Sequence, residues 1–94
     1  MRLLLVSLLV SLPQLAAAEV TDMKCYVELQ GGNHIVLQSQ VNDSSKQGLE
    51  QKFMKMGYEV DGVLLSVVKV MECVPLDATF SSLAAKRQDD AQPR

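Results

Sequence analysis

The stretch that most limits what this chain can become is Val63–Val74, VLLSVVKVMECV. Its density of β-branched and apolar residues reads as a buried strand, and it ends on Cys73, one of only two cysteines. The other, Cys25, lies 48 residues earlier in another extended-looking stretch. Between Val63 and Val74, residues Val63, Leu65, Val67, Met71 and Cys73 share a face with Lys69 as the exception. Leu64, Val68 and Val70 share the other with Ser66 and Glu72. Apolar residues on both sides predict an interior strand covered on both faces.

The compartment is read from the start of the chain. Arg2 is a basic n-region, Leu3–Leu12 an apolar core, Pro13 a break, and Ala16-Ala17-Ala18 a small-residue cleavage pattern. Residues 1–18 are therefore expected to be a cleaved signal peptide, which makes the mature protein periplasmic or secreted. The apolar run falls well short of the roughly 20 residues a membrane-crossing helix needs, so no stable span is expected after cleavage. Two cysteines in an exported chain are most simply a disulfide. A metal site or reactive free thiols would want a second Cys or His close to either, and none is present. The loop-entropy relation gives such a cross-link about 4 kcal/mol, a large fraction of the roughly 5–15 kcal/mol of a whole domain.

Removing the leader takes Arg2 with it and leaves eight basic against eleven acidic side chains, a net charge of −3. That balance, with no Trp and 4% aromatic residues, excludes a basic field or a stacking platform for nucleic acid. About 76 residues remain, enough for one thin core that benefits from a staple. The expected organisation is a disulfide-stapled β-rich domain over residues 19–88 and a flexible polar tail over residues 89–94.

Met23–Gln30 alternates, with Met23, Cys25, Val27 and Leu29 on one face and Lys24, Tyr26, Glu28 and Gln30 on the other. Gly31-Gly32-Asn33 is a turn, and His34–Val41 resumes the extended pattern, so the two predict a hairpin. Residues 42–60 carry two competing signals. Ser44 with Gln47 has capping-box spacing, and Leu49, Phe53 and Met56 follow at helical spacing, although Gly48 weakens a helix. Against this, Met54, Met56, Tyr58 and Val60 alternate into Asp61-Gly62, a strong hairpin-turn signal. The strand reading, Phe53–Val60, is preferred. Pro75 ends the last strand, and Asp77 is the expected N-cap of a helix Ala78–Gln88 with Phe80, Leu83 and Ala84 on its apolar side. That helix is expected to cover Val68 and Val70.

A Cys25–Cys73 bond needs the two Cα atoms within about 7 Å, which antiparallel neighbours satisfy. The fold class that follows is α+β: a small antiparallel sheet of about four strands in two hairpins, spatial order 2-1-4-3, with a C-terminal helix and one disulfide.

No catalytic arrangement stands out, so the chain is not expected to be an enzyme or to carry a cofactor. His34, the single histidine, follows the glycine turn without a partner for acid–base work. Met54, Met56, Met71 and Met23 could form a soft copper site, but methionines in a small core more often fill gaps. Gly31-Gly32 lacks the Lys and Ser/Thr of a phosphate loop. Asn42-Asp43-Ser44 has the pattern of a glycosylation acceptor, relevant only in a eukaryotic host. Protein binding is the expected activity, through an unpaired sheet edge or through Phe80 and Leu83 of the last helix.

Lys24-Cys25-Tyr26-Val27-Glu28-Leu29 with Gly31-Gly32, then Val70, Glu72-Cys73-Val74, Phe80-Ser81-Ser82, Ala85 and Pro93-Arg94, form a pattern at the two ends of the mature chain. It resembles the small exported TapY-type proteins associated with type IVa pilus or secretion systems of Gram-negative bacteria. The resemblance implies a periplasmic accessory or adaptor whose partner is a component of the pilus or secretion machinery, with Cys25 and Cys73 joined. It assigns no catalytic residue. A second resemblance, to periplasmic lysozyme inhibitors that also open with a Tyr beside a strand cysteine, implies an inhibitor of a secreted hydrolase. The Ser-Gly-x-x-Tyr loop of those inhibitors is missing here.

Overall fold

A computed structural model describes residues 20–93, so the expected signal peptide lies outside the described residues. Six elements follow in order: β1 (Thr21–Leu29), β2 (His34–Val41), α1 (Lys46–Phe53), β3 (Gly57–Val60), β4 (Val63–Pro75) and α2 (Leu83–Ala91). The four strands form one antiparallel sheet in the order β2-β1-β4-β3, as the two hairpins and the staple predict.

Both hairpin turns use residues that tolerate positive φ. Gly31 and Gly32 lie at 91° and 96° between β1 and β2, while Asp61 and Gly62 lie at 52° and 83° between β3 and β4. The first turn is closed by the Leu29 N–H donating to the Asn33 carbonyl at 2.7 Å.

Residues 42–60 satisfy both competing signals, at different positions. Helix α1 is capped by Ser45, one residue beyond the expected Ser44, and the Ser45 hydroxyl accepts from the Gly48 N–H at 3.1 Å. A side chain at Gly48 would collide with Asp43, so the glycine that weakens the helix is what lets it sit against its own lead-in. Leu49 and Phe53, four residues apart, are the buried side of α1. The strand begins only at Gly57, which corrects the preferred reading over Phe53–Met56: Phe53 is fully buried and is needed beneath α1.

Strand β4 departs from simple alternation. Cys73 faces Cys25 across β1 and β4, but Val27 faces Val70 and Leu29 faces Val67. Met71 and Val68 are thus the extra residues of two irregularities, and the parity of the strand changes at each. The shift turns Val70 toward the core beside Leu65, Val67 and Cys73, whereas strict alternation placed it on the opposite face.

Two cores result, one on each side of the sheet. The larger joins Met23, Cys25, Val27 and Leu29 of β1 to Ile35, Leu37 and Val41 of β2, Leu49 and Phe53 of α1, and Val67 of β4. The smaller holds Tyr26, Val36, Phe80 and Ala85, with Val74 against it. α2 therefore packs over β1 and β2, not over Val68 and Val70 as expected. β1, between the two cores, is the strand around which the domain is built.

The C-terminal segment differs from expectation at both ends. Asp77 lies in the turn after β4, where the Ala78 N–H donates to the Pro75 carbonyl, and the cap of α2 is Ser82. Phe80 must leave the chain extended to reach the core, so the helix starts only after it. Asp89–Ala91 complete α2 instead of fraying, and the buried Asp89 pairs with Lys24 Nζ at 2.7 Å. Gln92 holds the edge strand β2 through its amide, accepting from the Val36 N–H at 2.7 Å and donating to the Val36 carbonyl at 2.9 Å.

Candidate functional site

The residues expected to matter fall into three places. Cys25 and Cys73 form the disulfide between β1 and β4, with Cα atoms 4.1 Å apart. Phe80 is 2% exposed and lies edge-on to Tyr26, ring centres 6.5 Å apart, with Lys24 Nζ 5.2 Å from its ring centre. Its ring therefore belongs to the smaller core, whereas Leu83, 57% exposed, stands on the outer side of α2. The pair does not make a joint surface.

His34 stacks on Tyr26 at 5.4 Å between ring centres, and its Nε2 lies 3.7 Å from Glu28 Oε1 across the hairpin. This is a cross-strand contact that linear order concealed. Of the methionines considered for copper, Met23 is in the larger core and Met56 packs against it, while Met54 and Met71 are exposed. Among the described residues no group of three or more His, Cys, Asp or Glu could hold a metal ion.

The apolar surface that needs explaining is on β3 and β4. β4 pairs with β1 only from Pro75 to Val67, and with β3 from Ser66 to Val63. Gln30 still holds Ser66, through a main-chain bond of 2.9 Å and a side-chain bond of 3.1 Å, and β1 ends there. Beyond that point the sheet narrows to a two-stranded ribbon tipped by Asp61-Gly62. Leu64 is 71% and Val63 58% exposed there, with Tyr58 of β3 also exposed; Val68 and Met71 are exposed farther along β4, where it runs beside β1. Successive strand residues point to opposite faces, so Val63 and Leu64 leave both sides of this narrow, open-edged ribbon apolar and exposed.

A cleft of about 350 Å³ lies between α1 and β4, bounded by Lys46, Leu49 and Glu50 on one side and Val70, Met71, Glu72 and Cys73 on the other. Of that wall, Glu72 accepts from the Ser81 N–H at 2.7 Å, the Ser81 hydroxyl at 2.8 Å and the Ser82 N–H at 3.2 Å. Partial burial pushes its pKa up, but the donors of Ser81 and Ser82 together outweigh that and hold the carboxyl below its ordinary value. Glu72 thus fixes the start of α2 to the sheet.

Reading the sequence alone misses the exposure of Val63 and Leu64. The available signal is the Asp-Gly turn just before them, which puts both at the tip of a hairpin, where flanking elements seldom reach.

A family model described as type IVa secretion system protein TapY2-like matches residues 3–94. No curated protein and no solved structure matches the chain.

Proposed function

The chain belongs to the TapY2-like family of type IVa secretion system proteins, and from that premise we propose that it is an accessory protein of such a system, exported to the periplasm and acting by contact with a machinery component. Export is supported by the leader pattern of Leu3–Leu12 and Ala16-Ala17-Ala18 together with the Cys25–Cys73 bond. Among the described residues no helix is long and apolar enough to cross a membrane. On this reading the protein binds and does not catalyse.

The observation that carries the reading is the ribbon: Val63 and Leu64 spend apolar area on solvent at a position where a partner would recover it. Of the expected contact pair Phe80 and Leu83, Phe80 is occupied by the smaller core, which leaves Leu83 on α2 as a secondary contact. The test is a cross-linking pull-down from native envelopes comparing the unaltered protein with Val63→Ser/Leu64→Ser and, separately, Leu83→Ser. Machinery components are expected with the unaltered protein and with Leu83→Ser, and should be lost with the ribbon variant while its circular dichroism is unchanged. Recovery of a cell-wall hydrolase instead, or equal recovery from the ribbon variant, overturns the reading.

A further inference from the structure

We propose that the Cys25–Cys73 bond is a one-sided thiol-exchange site, in which a small peptide thiol enters the α1–β4 cleft and attacks the sulfur of Cys73. The asymmetry lies in the surroundings of the two sulfurs. Cys25 is 0% exposed and enclosed in the larger core, whereas Cys73 is half-buried and forms part of the cleft wall. Cys25 does not border that cleft. Exchange requires an approaching thiolate to reach a sulfur atom, so access selects Cys73. The volume of about 350 Å³ admits a group of tripeptide size.

Charge at the cleft mouth bears on the approach. Lys46 is an exposed cation there; Glu50 and Glu72 are the neighbouring anions, and the carboxylate of Glu72 is already held by Ser81 and Ser82. A thiolate therefore passes Lys46 and Glu50 at the mouth, and Lys46 is the group there that attracts it.

The chemistry balances with two equivalents of thiol. The first thiolate forms a bond to Cys73 Sγ; the Cys25–Cys73 bond breaks, and its electron pair leaves on Cys25 Sγ, which takes a proton from water. A second thiolate attacks the sulfur of the bound thiol, releasing Cys73 as a thiolate and a small-molecule disulfide. The protein disulfide is reduced and the two thiols are oxidised. The bond released joins β1 to β4 at the residue next to Glu72, which holds the start of α2.

The probe is reduced glutathione. The folded protein is incubated with it at neutral pH without denaturant, quenched in acid, alkylated and mapped by mass spectrometry. Glutathione is expected on Cys73 and the alkyl group on Cys25, with a ratio of about ten or more over the reverse pattern. Lys46→Glu, at an exposed position, should slow the reaction about threefold or more at low salt, with the difference shrinking as salt rises and the urea midpoint unchanged. Glutathione on Cys25 as often as on Cys73 overturns the proposal. So does an absence of adduct until urea unfolds the chain, or a Lys46→Glu rate equal to that of the unaltered protein.

Discussion

At Lys24 the alternation of β1 conceals what the third dimension demands. The residue lies on the nominally polar face of the strand, yet that face is covered by α2, and both Lys24 and Asp89 are nearly removed from solvent at 4% and 8% exposure. The two charges face each other there, and the Lys24 ammonium also lies over the Phe80 ring. Lys24→Ala is expected to cost about 3–5 kcal/mol, because it removes one member of a buried ion pair. Replacing both as Lys24→Met/Asp89→Leu should recover most of that loss. Urea titration of the single and double variants checks both numbers, and a double variant no better than the single one would show that the pair contributes more than mutual neutralisation. Residue identity alone marks Lys24 as solvated; only the docking of α2 reveals it as a buried ion-pair partner.

Among the elements, α2 is held at both ends by bonds to the sheet. Glu72 receives the Ser81 and Ser82 donors at its start, and Gln92 occupies Val36 on the edge of β2 at its finish. The Glu72 carboxyl has a folded pKa below its ordinary value. The stabilisation it provides is therefore complete above the unfolded value of about 4.3 and fades as pH falls through the lower folded value. Stability should drop on acidification across that window. Glu72→Gln is expected to flatten this part of the profile and to cost about 1 kcal/mol at neutral pH, since charge-assisted bonds to the helix start become neutral ones. Thermal melts of both forms between pH 3 and 7 measure this, and parallel profiles would remove Glu72 from the account. The later start of α2 has the same origin: Phe80 is required in the core, so the chain stays extended until Ser82.

For the whole molecule, one covalent bond joins the first strand to the last and closes a loop of 48 residues around a small core. Cys25→Ala/Cys73→Ala should lose about 2–4 kcal/mol, enough to leave much of the population unfolded if the domain is of ordinary stability. Urea unfolding of oxidised protein and variant gives the difference, and a loss under 1 kcal/mol would place the stability in the two cores. Sequence by itself determined the strand set, both hairpins, the cross-link and hence the 2-1-4-3 order, because alternation, positive-φ turn residues and cysteine pairing are local or nearly local signals. The resemblance at the two ends of the mature chain pointed to the family that the match over residues 3–94 shows. Only the tertiary structure decided that Val70 turns inward, since the two irregularities in β4 arise from its pairing with β1. It alone decided which face each helix covers, and so why Phe80 is core while Val63 and Leu64 remain outside. The physical reason is that burial belongs to the neighbours a residue acquires when distant segments pack, and hydrophobicity along the chain records only which residues are able to be buried.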